Sequence, residues 1–141
     1  MRRRKPLHSL QRLAEFAADA ASRDVGTRLR ALRVEEERLR QVDGFVGQYD
    51  DLARSTTPGL TVGALRGRRQ FGQRLRDAAE RQRDAVAGCE RQYREQIERW
   101  RGARAEALAL QRFNERLQER LRERHERREQ ATLDEIARRR R

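Results

Sequence analysis

Few side chains in this chain could act as nucleophiles, bases or metal ligands other than its carboxylates. There are two histidines, His8 and His125, and one cysteine, Cys89. A nucleophile needs a base within hydrogen-bond reach, and a structural zinc ion needs four closely arranged ligands. The histidines lie far apart in sequence, each close to several charged residues, and no phosphate-binding loop occurs. The sequence therefore predicts solvated histidines, no catalytic residue, no metal site and no cofactor.

The composition indicates which elements hold the remaining candidates. Charged residues make up 41% of the chain, aromatic residues 5% and hydrophobic residues 35%. Such a chain, rich in alanine, glutamate, leucine and arginine, is typical of long helices or coiled coils. Cys89, Tyr93 and Trp100 are then most simply packed residues of a helical seam, and a rod of two helices offers no concave pocket for an enzyme site.

The first half of the chain has apolar residues at helical spacing. Their steps are mostly three and four residues, which predicts a helix with one apolar stripe. Pro6 favours a helix start, since its fixed φ suits the first turn. The stripe comprises Leu10, Ala14, Ala17, Ala21, Val25, Leu29, Leu32, Leu39, Val42, Val46, Tyr49 and Leu52.

A reversal follows, and then a second helix. The segment 54–63 is rich in Ser, Thr, Gly and Pro, and Pro58-Gly59 is a strong turn signal. The second helix has a heptad pattern, which predicts antiparallel packing on the first. Its d positions are Leu75, Gln82, Cys89, Gln96, Ala103, Leu110 and Leu117, and its a positions are Ala79, Val86, Tyr93, Trp100, Ala107, Asn114 and Leu121.

The predicted fold is all-α: one long antiparallel two-helix coiled-coil hairpin, with the second helix longer. We expect a single domain over 1–141, with helix one at about 7–54, the turn at about 55–63 and helix two at about 64–137. Folding near Gly59 would place Leu7 opposite about Leu110, so the stretch 114–141 would have no partner within the chain.

The unpaired stretch carries Leu117, Leu121, Leu133 and Ile136 without an internal surface to cover them. Two interpretations stay open. A lone helix with spaced apolar residues is a candidate docking surface for another protein. The alternative is a frayed, solvated helix end.

The charge balance suggests nucleic acid, but its distribution does not favour it. The net charge is +12, and the sequence pI is about 11.4. Glutamates lie between the arginines of the second helix, and no nucleic-acid-binding motif occurs, so we expect salt-sensitive binding without specificity. The absence of an apolar signal-peptide core and the single cysteine favour a cytoplasmic location.

Three stretches resemble the FliJ family of the bacterial flagellar type III export apparatus. Phe71-Gly-Gln-Arg-Leu75-Arg-Asp-Ala78-Ala-Glu-Arg-Gln82 is similar to the family's F-x3-L-x2-A-x3-[H/Q] pattern. Ile97-Glu-Arg-Trp100-Arg is similar to its tryptophan-basic step, and the segment 130–139 to its Q-x3-D-E-x-A-x-R ending. The resemblance rests on the order and spacing of these stretches together, and it covers essentially the whole chain.

The resemblance implies a non-enzymatic stalk of bacterial flagellum biogenesis and motility. Such a rod sits in the central hole of the hexameric export ATPase, contacts the cytoplasmic part of the membrane export gate and handles export chaperones. It implies a cytoplasmic, monomeric protein located peripherally at the inner face of the cell membrane.

The resemblance also assigns residues. The gate-contact pattern falls on Phe71, Leu75, Ala78 and Gln82, and the last departs from the histidine of some members. The near-terminal pattern suggests ATPase-ring contacts at Leu133, Asp134, Glu135 and Arg139. A virulence secretion stalk, a basic coiled coil that coats nucleic acid and a homodimeric scaffold stay open as alternatives.

Overall fold

Two long helices account for almost all of the described chain. The computed structural model describes residues 4–55 and 59–141, with side chains from residue 7 onward. Helix α1 spans Arg4–Arg54 and helix α2 spans Val62–Arg139. The helices pack against each other as a hairpin, and α2, with 78 residues, is longer than α1, with 51. The predicted all-α hairpin is confirmed.

The chain between the helices is short. Gly59 has a φ of +97°, in the left-handed region that glycine adopts without steric cost. Thr61 is the N-cap of α2. Its hydroxyl accepts a hydrogen bond from the Ala64 N–H at 3.2 Å, and its carbonyl accepts one from the Leu65 N–H at 3.1 Å. Pro58, the other half of the predicted turn dipeptide, lies outside the described residues.

The observed helices are slightly longer than expected. Helix α1 begins at Arg4 rather than near residue 7, and α2 runs from Val62 to Arg139 rather than from about 64 to about 137. By contact density the chain divides into two units, Ser22–Glu98 and a unit that joins Met1–Ala21 to Arg99–Arg141. The single-domain assignment stays a prediction.

The unit Ser22–Glu98 contains the reversal and a narrow seam. Leu32 of α1 is 7% exposed and Ala79 of α2 is 2% exposed, so each helix contributes an apolar side chain to the seam. Polar side chains also tie the helices together. Arg83 forms an ion pair with Asp43 at 3.1 Å, and Arg28 donates to the Gln92 side chain at 3.0 Å.

The second unit has a seam of the same type with a polar contact in it. Ala107 and Asn114 are both buried. The Asn114 amide donates a hydrogen bond to the side-chain oxygen of Gln11 on α1. The predicted heptad frame is confirmed in both units, because none of its a and d positions from Leu75 to Leu121 is exposed.

Two sequence-based expectations were wrong: that Leu7 lies opposite about Leu110, and that Leu117 and Leu121 have no internal surface to cover them. Leu117 and Leu121 are half-buried and lie with Leu7 around a cavity of about 260 Å³, so the partnered part of α2 extends at least to Leu121. Residues 62–67 of α2 are all exposed, and Arg68, whose carbonyl accepts a hydrogen bond from the Tyr49 hydroxyl, is the first half-buried residue of α2.

The inward stripe of α1 also differs from the predicted one. Leu10, Ala17 and Leu52 are exposed, although each was placed on the stripe. Gln11 and Ala18 take the inward positions instead. Gln11 accepts a hydrogen bond from the Asn114 amide at its inward position, so its polar group is satisfied there.

Candidate functional site

Phe71 is the most accessible of the residues expected to contact the export gate. Its side chain is 52% exposed on α2. One side of the ring meets Tyr49 of α1 edge to face, with centroids 5.2 Å apart and planes at 60°. This is a favourable aromatic geometry. Phe71 is therefore held in place from one side and offers the other side to solvent.

Tyr49 is itself fixed by two contacts with α2. Its hydroxyl donates to the Arg68 carbonyl, and its ring lies against Gly72, which is buried. A Cβ at Gly72 would lie 2.9 Å from Cε1 of Tyr49. Only glycine therefore permits this approach of the two helices. Sequence reasoning missed Gly72 as a positioning residue, although a glycine beside Phe71 inside a long helix is a usable signal.

The other residues of the gate-contact pattern lie in or beside the seam. Leu75 and Ala78 are half-buried. The Gln82 amide donates to Glu35 of α1, to the carboxylate at 2.6 Å and to the backbone carbonyl at 3.0 Å. Phe71 thus has an open surface, Leu75 and Ala78 have partly covered ones, and Gln82 has a structural partner.

The residues suggested as ATPase-ring contacts lie in an exposed stretch of α2. Every residue from 122 to 141 is exposed. Leu133 is 61% exposed, and Ile136, three residues later on nearly the same face, is 47% exposed. Glu135 and Arg139 form an ion pair at 2.8 Å one turn apart. Leu133, Asp134, Glu135 and Arg139 are all exposed, and their role as ATPase-ring contacts stays a prediction.

The side chains considered for chemistry are distributed without a common site. His8 and His125 are exposed, and His125 lies 3.6 Å from Glu129. Cys89 is a half-buried free thiol, and Trp100 is half-buried with the Arg104 guanidinium 5.4 Å from its ring centroid. Within residues 4–55 and 59–141, no group of three or more His, Cys, Asp or Glu side chains could hold a metal ion.

The class of protein follows from these observations: a helical hairpin with an aromatic contact surface near its reversal and an exposed, charged helix end. The chain matches the family described as "Flagellar FliJ protein" over residues 3–141, and it therefore belongs to that family. Members of this family are components of the flagellar protein-export apparatus. No curated protein and no solved structure matches the chain.

Within the part of the chain that the structure describes, no helix is long and apolar enough to cross a membrane.

Proposed function

We propose that this protein is a non-enzymatic coupling stalk of flagellar protein export, which enters the ring of the export ATPase and contacts the export gate. It supports flagellum assembly, and thereby motility and chemotaxis, and it handles export chaperones. The observation that carries the proposal is the family match over residues 3–141, combined with an α2 end whose residues are all exposed in the described part of the chain. The protein acts as a monomer in the cytoplasm, at the inner face of the membrane beneath the flagellum.

The exposed end of α2 is the part proposed to enter the ATPase ring. Residues 122–129 comprise four arginines, three glutamates and a histidine in mixed order, and Leu133 and Ile136 are the large apolar side chains beyond them. Dispersed charge suits contacts with several similar subunits, because such contacts are shallow and weaken with salt. A deep apolar contact would instead fix one orientation.

The stalk proposal is tested by truncation after Gln130. The purified export ATPase is assayed for hydrolysis rate and ring formation, alone and with the full chain or the truncated chain. We expect stimulation by the full chain and loss of most of it on truncation. A full-length Leu133→Ala, Ile136→Ala variant separates the apolar contacts from length and charge. Full stimulation by the truncated chain would contradict the ring contact.

Phe71 is the residue proposed to contact the export gate, with Leu75 and Ala78 beside it and Gln82 further along α2. Half of the Phe71 side chain is available to a partner, and Tyr49 restricts its motion. An aromatic side chain that a partner buries on binding contributes strongly to a protein interface. Preorganisation lowers the entropy cost of binding.

The chain offers a matched control for this contact. Phe113 is also on α2 and is 50% exposed, close to the 52% of Phe71. We expect Phe71→Ala to weaken capture of the cytoplasmic domain of the export gate at least tenfold, and Phe113→Ala to leave it unchanged. Circular dichroism checks that both variants retain their helicity. Equal binding by the two variants would remove Phe71 from the interface.

A further inference from the structure

Residues 52–55 and 59–76, on either side of the reversal, have a charge distribution unlike that of the remainder of the chain. We call this segment the basic turn end. It contains six arginines and no acidic residue, whereas the whole chain has 23 acidic residues for 35 basic ones. Elsewhere on α2 acidic residues lie among the arginines, so the electrostatic fields of the two kinds of charge largely cancel. The basic turn end has no such cancellation within itself. Its arginines are Arg54, Arg66, Arg68, Arg69, Arg74 and Arg76.

Most of these arginines lack an ionic partner. Arg76 lies 3.7 Å from Asp50, just before the segment. Among the described residues the other five form no ion pair, and all of them except the half-buried Arg68 are exposed. The next acidic residues along the sequence are Asp51 and Asp77, and Asp77 accepts a hydrogen bond from Gln73. The guanidinium groups are therefore available to an anionic partner.

Large apolar side chains are exposed among these arginines. Val62 is 70% exposed, Leu52 63% and Leu65 45%. Leu65 also lines an open cavity of about 450 Å³ together with Leu60, Ala53, Arg68 and Arg69. Apolar residues and arginines therefore line the same cavity. An anionic group attached to a hydrocarbon chain would satisfy both.

We propose that the basic turn end binds the surface of a membrane rich in anionic phospholipid. The arginines contact lipid phosphates, for which the guanidinium fork is well suited. Val62 and Leu65 enter the boundary between headgroups and acyl chains, as apolar residues of interfacial helices do. The charge complementarity is direct, since the cytoplasmic leaflet carries a negative surface potential that attracts basic segments.

The apolar residues favour a lipid surface over an acidic protein. An acidic polypeptide would pair with the arginines but would leave Val62 and Leu52 exposed. A bilayer covers both kinds of side chain at once. The inference extends the proposed location of the protein beside the membrane. It needs no export protein for its test, so its failure would leave the stalk proposal intact.

The test is co-sedimentation of the full chain with vesicles. One set contains equimolar phosphatidylglycerol and phosphatidylcholine, and the other contains phosphatidylcholine alone. We expect binding to the first set only. The variant Arg66→Gln, Arg69→Gln, Arg74→Gln should bind about a hundredfold more weakly, because each basic residue near an anionic surface strengthens binding about fivefold.

A matched variant controls for net charge. Arg120→Gln, Arg124→Gln, Arg128→Gln removes three exposed arginines from the region in which glutamates lie among them. We expect it to bind nearly as well as the unmodified chain. A third variant, Val62→Ser, Leu65→Ser, should bind more weakly than the unmodified chain when both are measured at high salt. Electrostatic attraction is screened under that condition, so the apolar contacts account for more of the binding. Circular dichroism confirms that each variant is helical.

Two results would overturn the proposal. Equal losses in the two arginine variants would reduce the binding to attraction by overall charge. Failure to bind the anionic vesicles, with capture by polyglutamate that depends on Arg66, Arg69 and Arg74, would assign the basic turn end to an acidic polypeptide instead.

Discussion

Replacing Gly72 with alanine tests how closely the two helices approach beside Phe71. In a helix interior this substitution ordinarily stabilises by about 1 kcal/mol, because alanine has the higher helix propensity. At Gly72 the new Cβ would lie 2.9 Å from Cε1 and 3.3 Å from Cδ1 of Tyr49. The tyrosine ring must therefore move, and it cannot do so without changing its own contacts.

The magnitude follows from the contacts that Tyr49 makes. Loss of its hydrogen bond to the Arg68 carbonyl costs about 0.5–1.5 kcal/mol. Loss of the edge-to-face contact with Phe71 costs about as much again. Together these losses exceed or cancel the propensity gain. We expect Gly72→Ala to be roughly 1–3 kcal/mol less stable than the same substitution at an unobstructed glycine.

Gly102 provides that comparison, because it also lies in α2 and a Cβ there would meet nothing within 4 Å. Thermal melts followed by circular dichroism should show a higher Tm for Gly102→Ala and an unchanged or lower Tm for Gly72→Ala. At this chain length, 1 kcal/mol corresponds to about 3 °C. In a Tyr49→Ala background Gly72→Ala should become stabilising, which a double-mutant cycle measures. Equal stabilisation by both alanines in the unmodified chain would refute the close approach.

Three further predictions concern stability. Leu32→Ala should lower the free energy of unfolding by about 2–3 kcal/mol, since Leu32 is 7% exposed, and Leu13→Ala, at 64% exposed, should change it by less than about 0.5 kcal/mol in denaturant titrations. Asn114→Leu should raise the Tm, because a polar residue at an a position lowers stability, but it should also produce higher oligomers in light scattering, since the pairing with Gln11 that favours one arrangement is lost. Truncation after Gln130 should leave the Tm within about 2 °C, because every residue removed is exposed, and a larger drop would show that this end packs on the hairpin.

The seam was largely predictable from the sequence. Apolar side chains at heptad spacing from Leu75 to Leu121 have one geometric solution, which is to face the partner helix. The exact pairing was not predictable. Gln11 is polar and next to Leu10, so hydrophobic patterning favoured Leu10, whereas Gln11 takes the inward position and accepts a hydrogen bond from Asn114. The position of Leu117 and Leu121 depends on where pairing begins beside the turn, and periodicity does not specify that position.

The candidate contact surface was predictable only in part. The family pattern identified Phe71, and the structure gives it an open face. The same pattern does not distinguish Phe71 from Gln82, whose amide is occupied by Glu35 across the seam. The roles of Tyr49 and Gly72 depend on interatomic distances between two residues that lie on different helices, 23 positions apart in the sequence. The proposed gate and ring contacts stay predictions.

The exposed continuation of α2 beyond residue 121 also has a kinetic consequence. A free peptide of this length must first nucleate its helix, at a statistical cost of about 10⁻³. Here the packed part of α2 supplies the nucleus, so each further residue only has to propagate an existing helix. Unwinding therefore starts at Arg139 and proceeds one residue at a time at small cost. We expect amide hydrogen exchange to accelerate gradually towards that end, so that a binding partner meets a preformed helix whose length still adjusts to its site.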